Sequence, residues 1–186
     1  MVKNARDIAK QKQLELKVMF QDEARFGRIQ KPFRCWAQKG CRPLVGQQLV
    51  REYTYAYGAV SPVDGDADFL ILPYLNIECF SLFLEEMSIR YPKNLILMFC
   101  DGASCHSSIT IKIPNNIILQ ALPPYSPELN PEENIWDDMR EKWFKNRVFK
   151  SMDDVENQLT EACLFYENAK KTCKSISSFQ WIICSL

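Results

Sequence analysis

The chain has 186 residues, enough for one ordinary domain with a substantial core and too few for a large multi-domain machine. Hydrophobic residues make up 47% and charged residues 25%, which excludes a disordered tail and a coiled coil. Lys plus Arg and Asp plus Glu both number 23, so net charge alone gives no reason to expect a nucleic-acid partner. Glu78, Glu85 and Asp101 break the apolar runs before they reach the ~18 residues of a membrane span. The N-terminal MVKNARDIAKQKQLELK is polar and charged, without the apolar stretch of a signal peptide. These features predict a cytoplasmic protein that does not engage a membrane. Eight cysteines with no C-x-x-C pair and a single histidine argue against a structural zinc site, and most of the thiols are expected to be reduced core residues.

Residues 1–13 read as an N-terminal appendage. LELKVMF at 14–20 alternates loosely and ends near Asp22 and Glu23, the pattern of a strand delivering carboxylates at its end. Gly27, Gly40 and Pro43 punctuate the next stretch, so residues 28–37 and 43–50 read as paired strands. YTYAYGAV at 53–60 alternates as a half-buried strand, and the turn SPVDGDAD leads into FLILPY, which completes an antiparallel meander. Asp64, Asp66 and Asp68 lack the later Glu of a calcium-binding loop and read as a solvated loop. The period then becomes helical through Ile77, Phe80, Leu84 and Met87, with Asn76 as N-cap and Pro92 beyond the end. NLILMFC at 94–100 suits a central strand buried on both faces, and NIILQAL at 116–122 suits another buried strand. Helices are expected over about 131–146 and, after a Ser151 cap with Asp154 three residues on, over about 152–174. The expected fold is α/β: a mixed sheet, antiparallel meander first and β/α units after, flanked by helices.

Asp22 and Asp101 each follow an apolar strand, and Glu132 and Glu133 open the helix after PPYSPELNP. Chemistry in open α/β sheets gathers where strands end and loops aim side chains at a common point. Carboxylates converging there repel one another, and a hard divalent cation relieves the repulsion. Two such ions about 4 Å apart activate an attacking hydroxyl and stabilise a leaving oxygen. Taken singly, an Asp at a strand end or a Glu in a helix's first turn is more often a cap or dipole partner. Asn130 reads as the cap of the third-motif helix, with Pro131 first in it and Glu133 third.

QDEARFG (21–27), DGASCH (101–106) and LPPYSPELNPEENIW (122–136) resemble the three acidic motifs of DDE transposases, most nearly the bacterial insertion-sequence six-thirty family within the mariner superfamily. The resemblance covers residues 14–148. It implies an RNase H-like fold, two catalytic Mg²⁺ or Mn²⁺ ions, and the cutting and rejoining of DNA at transposon ends. The partners it implies are terminal inverted repeats, target DNA and a second copy in a homodimer. Carried over by position, Asp22, Asp101 and Glu133 are the catalytic and metal-binding residues, with Glu23, Asn130, His106 and Glu132 in support. His106 either orients a water, steadies a metal-bound carboxylate or touches DNA, or else it caps or packs. A projection at about 100° per residue puts Glu132 on the stripe of Ile135, Trp136, Met139 and Trp143 and leaves Glu133 at its edge. A metal ligand at a rim belongs on the edge, although Glu132 competes. Residues 14–150 would form the catalytic domain and 151–186 a helical extension packed on it. About thirteen residues precede the first strand, fewer than a helix-turn-helix module needs, so end recognition is expected to need either a separately encoded helix-turn-helix subunit or a form fused by frameshift. Other readings are a non-catalytic DNA-binding protein of transposase descent and another RNase H-like nuclease.

The charge balance is uneven along the chain. Seven bases, Arg25, Arg28, Lys31, Arg34, Lys39, Arg42 and Arg51, occur in one stretch without an acid, interleaved with Phe26, Phe33 and Trp36. That pattern suits a phosphate backbone and stacking on bases. A second basic cluster, Arg140, Lys142, Lys145, Arg147 and Lys150, reads either as DNA contact or as a solvated helix face.

Overall fold

A computed structural model of the chain describes residues 2–30, 32–102 and 111–185. Its spine is the long strand β1 (Glu15–Gln30), which pairs with one neighbour along its first part and with another along the rest, the two ladders meeting at Phe20. β1 runs parallel to β4 (Asn94–Cys100) from the pair Glu15 and Asn94 to the pair Phe20 and Phe99. It runs antiparallel to β2 (Gln48–Val60) from Phe20 opposite Val60 to Gln30 opposite Gln48, with a bulge between Gly27 and Ile29. β3 (Ala67–Leu72) extends the meander beyond β2, and β5 (Ile117–Ala121) adds in parallel to β4. The sheet order is β3-β2-β1-β4-β5. This is the expected mixed sheet, with β1 at its centre and β5 as a half-buried edge.

Alternation of side chains builds a core on each face. Met19, Tyr57, Ala59, Ile96 and Met98 meet Phe80, Phe83, Leu84 and Met87 of α2 (Ile77–Arg90). Asn76 caps this helix as expected, accepting from Cys79 N–H at 2.8 Å. On the other face Val18, Phe20, Ala24, Phe26, Ala56, Val60 and Phe69 meet Ile135, Trp136 and Met139 of α3 (Glu132–Met139). The same core takes in Val155, Leu159, Ala162 and Tyr166 of α4 (Met152–Asn168), Ala5 of α1 (Val2–Lys12), Cys173 of α5 (Lys170–Ser177) and Ile182 of α6 (Gln180–Ser185). Among the described residues no helix is long and apolar enough to cross a membrane.

Several expectations are corrected. The strands expected at 28–37 and 43–50 are only the last turns of the β1–β2 ladder, and 32–47 carries no strand. Pro32 and Pro43 lack the N–H that a ladder needs. The helix after α3 does not continue in α form to 146: residues 140–144 form one π-turn, which shifts the phase so that Phe144 is buried and Trp143 stays at the rim. The C-terminal helix breaks at Ala169 (φ −100°, ψ 51°), and the new direction of α5 lets Cys173 Sγ donate to Tyr166 O. The aspartates of the 61–68 turn are not a solvated loop. Asp64 and Asp66 each lie 2.7 Å from the buried Lys17 Nζ, Asp66 also pairs with Lys170, and Asp68 binds Arg90 and the Tyr91 hydroxyl. A buried ammonium needs such partners. Of the described cysteines, Cys35, Cys41 and Cys184 are exposed, whereas Cys100, Cys163 and Cys173 are buried.

Candidate active site

β1 carries Asp22 past the point where its parallel neighbour stops. Phe20 lies beside Phe99, so two residues further on Asp22 reaches the level of Asp101, just after β4 ends at Cys100. The sequence pattern places Asp22 at a strand end. Instead β1 continues, paired on one side only, and the opening of the sheet is made by β4 ending. By alternation Asp22 shares a face with Phe20 and Ala24, the face that α3 covers.

Asn130 sets where α3 begins. Its Nδ2 donates to Gln21 O at 2.9 Å and its Oδ1 accepts from Glu132 N at 3.2 Å, so one buried amide ties the strand beside Asp22 to the start of the helix. The helix runs from Glu132, one residue later than expected, with Pro131 just before it already in the helical region at φ −66° and ψ −15°. Glu133 then lines the same cleft as Asp22, Asp101 and Asn130. The opposite wall is Leu122, Pro123, Pro124, Tyr125, Ser126 and Pro127, and the cleft holds about 410 Å³. Tyr125 stands fully exposed at the mouth with φ at 58°, a conformation that costs a non-glycine residue energy.

Electrostatics single out Asp22. Burial, with the charges of Glu133, Glu23 and Asp101 adding, pushes its pKa up to about 8, against the hydrogen bond it accepts from the Glu23 backbone. Trp136 Nε1–H donates to Asp22 Oδ2 at 3.1 Å. Glu132 is fully buried beneath Asp22, and burial, then Asp22, Asp68 and Glu133, hold its pKa well above the usual range. Among the described residues neither Glu132 oxygen has a hydrogen-bond partner, so its burial disfavours the charged form. Glu132 belongs to the floor and Glu133 to the cleft.

The donor set fits a hard divalent cation in kind: three carboxylates from three elements face one cleft, and their mutual repulsion is written into Asp22. Among the described residues, however, no three His, Cys, Asp or Glu side chains are grouped closely enough to hold a metal ion as they stand. A cation held among them would offset the repulsion that their charges exert on one another.

The other site residues divide. His106 and Lys31 lie outside the described residues. Arg34, Trp36, Lys39 and Arg42 are exposed on segment 32–47, Trp36 completely. Arg25 stacks its guanidinium 4.5 Å from the Tyr53 ring. Arg28 is committed elsewhere: it pairs with Glu52 at 2.7 Å and donates to Phe149 O. In the second basic cluster Lys142 and Lys145 pair with Asp138 and Glu141 one turn earlier, which makes that face largely self-neutralised. Helical periodicity places Trp136 only in the core. The signal for more is chemical, since a buried indole N–H requires an acceptor.

Comparison with known proteins agrees with this architecture. The family model described as DDE superfamily endonuclease matches residues 17–156. The uncharacterized protein y4pE/y4sA of Sinorhizobium fredii (strain NBRC 101917 / NGR234) is 41% identical over 113 residues, which is 60% of this chain and 81% of that protein. A pre-cleavage Mos1 transpososome structure aligns with a TM-score of 0.61 at 14% identity, over 93% of this chain and 59% of that one. The Mos1 transposase paired-end complex with left transposon end gives 0.58 at 15%, over 95% and 61%. The Mos1 mariner paired-end complex with Mn gives 0.56 at 15%, over 94% and 58%. The chain thus spans about three fifths of the length of these solved chains, and at such identities the likeness speaks for the fold, which is RNase H-like. With the family model covering most of the chain, the protein belongs to the DDE superfamily endonucleases.

Proposed function

We propose that this chain is the catalytic domain of a DNA transposase, in which Asp22, Asp101 and Glu133 hold two Mg²⁺ or Mn²⁺ ions. The observation that carries the reading is the delivery of three carboxylates, by β1, the end of β4 and α3, to one open cleft. Ions bound there supply activation of an attacking hydroxyl and stabilisation of the leaving oxygen. Asp22, anchored by Trp136, and Glu133, fixed through the Asn130 link, provide the stationary oxygens. The open cleft admits a phosphodiester, and Tyr125 stands where an incoming strand would pass. Arg34, Trp36, Lys39 and Arg42 grip the DNA backbone and stack on its bases. Transposon ends and target DNA are the substrates, two copies of the chain bring two ends together, and a helix-turn-helix module, on a partner or in a fused form, recognises them. The Mos1 structures, solved with transposon-end DNA and with Mn, support this reading by fold.

The test is nicking of supercoiled plasmid by the purified protein with Mg²⁺ or Mn²⁺. Wild type is expected to nick, and Asp101→Asn to lose the activity by at least ~100-fold while keeping its melting temperature. Full nicking by Asp101→Asn contradicts the assignment. DNA binding without any metal-dependent cutting assigns the chain to the non-catalytic descendants.

A further inference from the structure

The proposed reaction needs Asp22 to present one orientation, and the floor beneath it is built around a single side chain. Trp136 is fully buried. Its ring is edge-on to Phe69 at 5.5 Å and to Phe26 at 6.1 Å between centroids. Gly58 lies directly opposite Asp22 in the β1–β2 register, and a Cβ there would come within 2.6 Å of the indole. The absence of a side chain at position 58 is thus what lets the ring lie against the sheet beside Asp22. Held this way, the indole has one polar atom, and its N–H donates to Asp22 Oδ2.

We infer that Trp136 is a positioning residue: its N–H fixes the Asp22 carboxylate and leaves the other oxygen to the cleft. This inference rests on the metal-dependent reading above. Trp136 sits one turn after Glu133 on α3, so one helix carries a cleft carboxylate itself and the donor that orients a second. Any shift of α3 moves both together, which couples two ligands that lie more than a hundred residues apart in the chain.

Two measurements test it. Replacing Trp136 by 3-benzothienylalanine keeps the fused-ring shape and puts sulfur where the N–H was. Mn²⁺ affinity, followed by water-proton relaxation, is expected to fall about tenfold, the scale of one hydrogen bond to a charged group, with only the modest loss of apo melting temperature that one missing hydrogen bond brings. Independently of metal, the Trp136 indole proton resonance, identified by its loss in Trp136→Phe, is expected to move in Asp22→Asn. Wild-type Mn²⁺ affinity in the analogue, or a resonance indifferent to Asp22→Asn, overturns the positioning role. Should the analogue fold poorly, the resonance decides. Mn²⁺ binding by wild type that is indifferent to Asp101→Asn overturns the metal reading instead, and the positioning role with it.

Discussion

Asp22 is the residue on which the proposed chemistry turns, and its surroundings are partly legible in the sequence. Alternation through Val18, Phe20 and Ala24 states which face Asp22 takes, and helical projection puts Glu132 inward. What sequence could not state is that Gly58 faces Asp22, because register between strands depends on the bulge near Gly27 and on the length of the 31–47 connection. Gly58 is therefore a test of the floor. An added Cβ would collide with Glu132 Oε1 and lie 2.6 Å from the Trp136 ring, so Gly58→Ala should lose about 1–3 kcal/mol by urea denaturation. An unchanged midpoint would mean that the floor yields freely and positions nothing.

Helix ends are the most readable elements, since capping is local chemistry. Ser151 and Asp154 form the reciprocal cap that their spacing announces, Asp154 N–H donating to Ser151 Oγ and Ser151 N–H to Asp154 Oδ2, both at 3.1 Å. Ser151→Ala should cost about 1 kcal/mol, read as a lowered urea midpoint with unchanged nicking, because α4 contributes no residue to the cleft. Element interiors are less readable. The break at Ala169 and the π-turn at 140–144 follow no local breaker and arise from packing on the sheet, where Phe144 and Cys173 gain burial. The run of bases without an acid is plain in the sequence. That Arg28 serves Glu52 and Phe149 O and not the solvent is invisible there, because its partners come from other elements.

At the scale of the whole molecule, zero net charge separates into local excesses: exposed bases on segment 32–47 and a carboxylate-rich cleft. The cleft stores repulsion that folding must bear. The folded-state pKa of Asp22 is raised from 3.8 to about 8, so the metal-free folded protein holds a proton that the unfolded chain releases. Stability should accordingly be fullest below about pH 4 as far as Asp22 is concerned, and fall as pH rises toward about 8. A cation that replaces the proton reverses this trend. The most direct measurement is therefore the melting temperature of wild type and Asp22→Asn, with and without millimolar Mg²⁺, across that pH range. Without metal, Asp22→Asn is expected to become the more stable protein as pH rises, and Mg²⁺ is expected to stabilise wild type increasingly while leaving the variant nearly unmoved. Equal stabilisation of both proteins by Mg²⁺, or a wild-type melting temperature indifferent to it, would contradict a metal site built on Asp22.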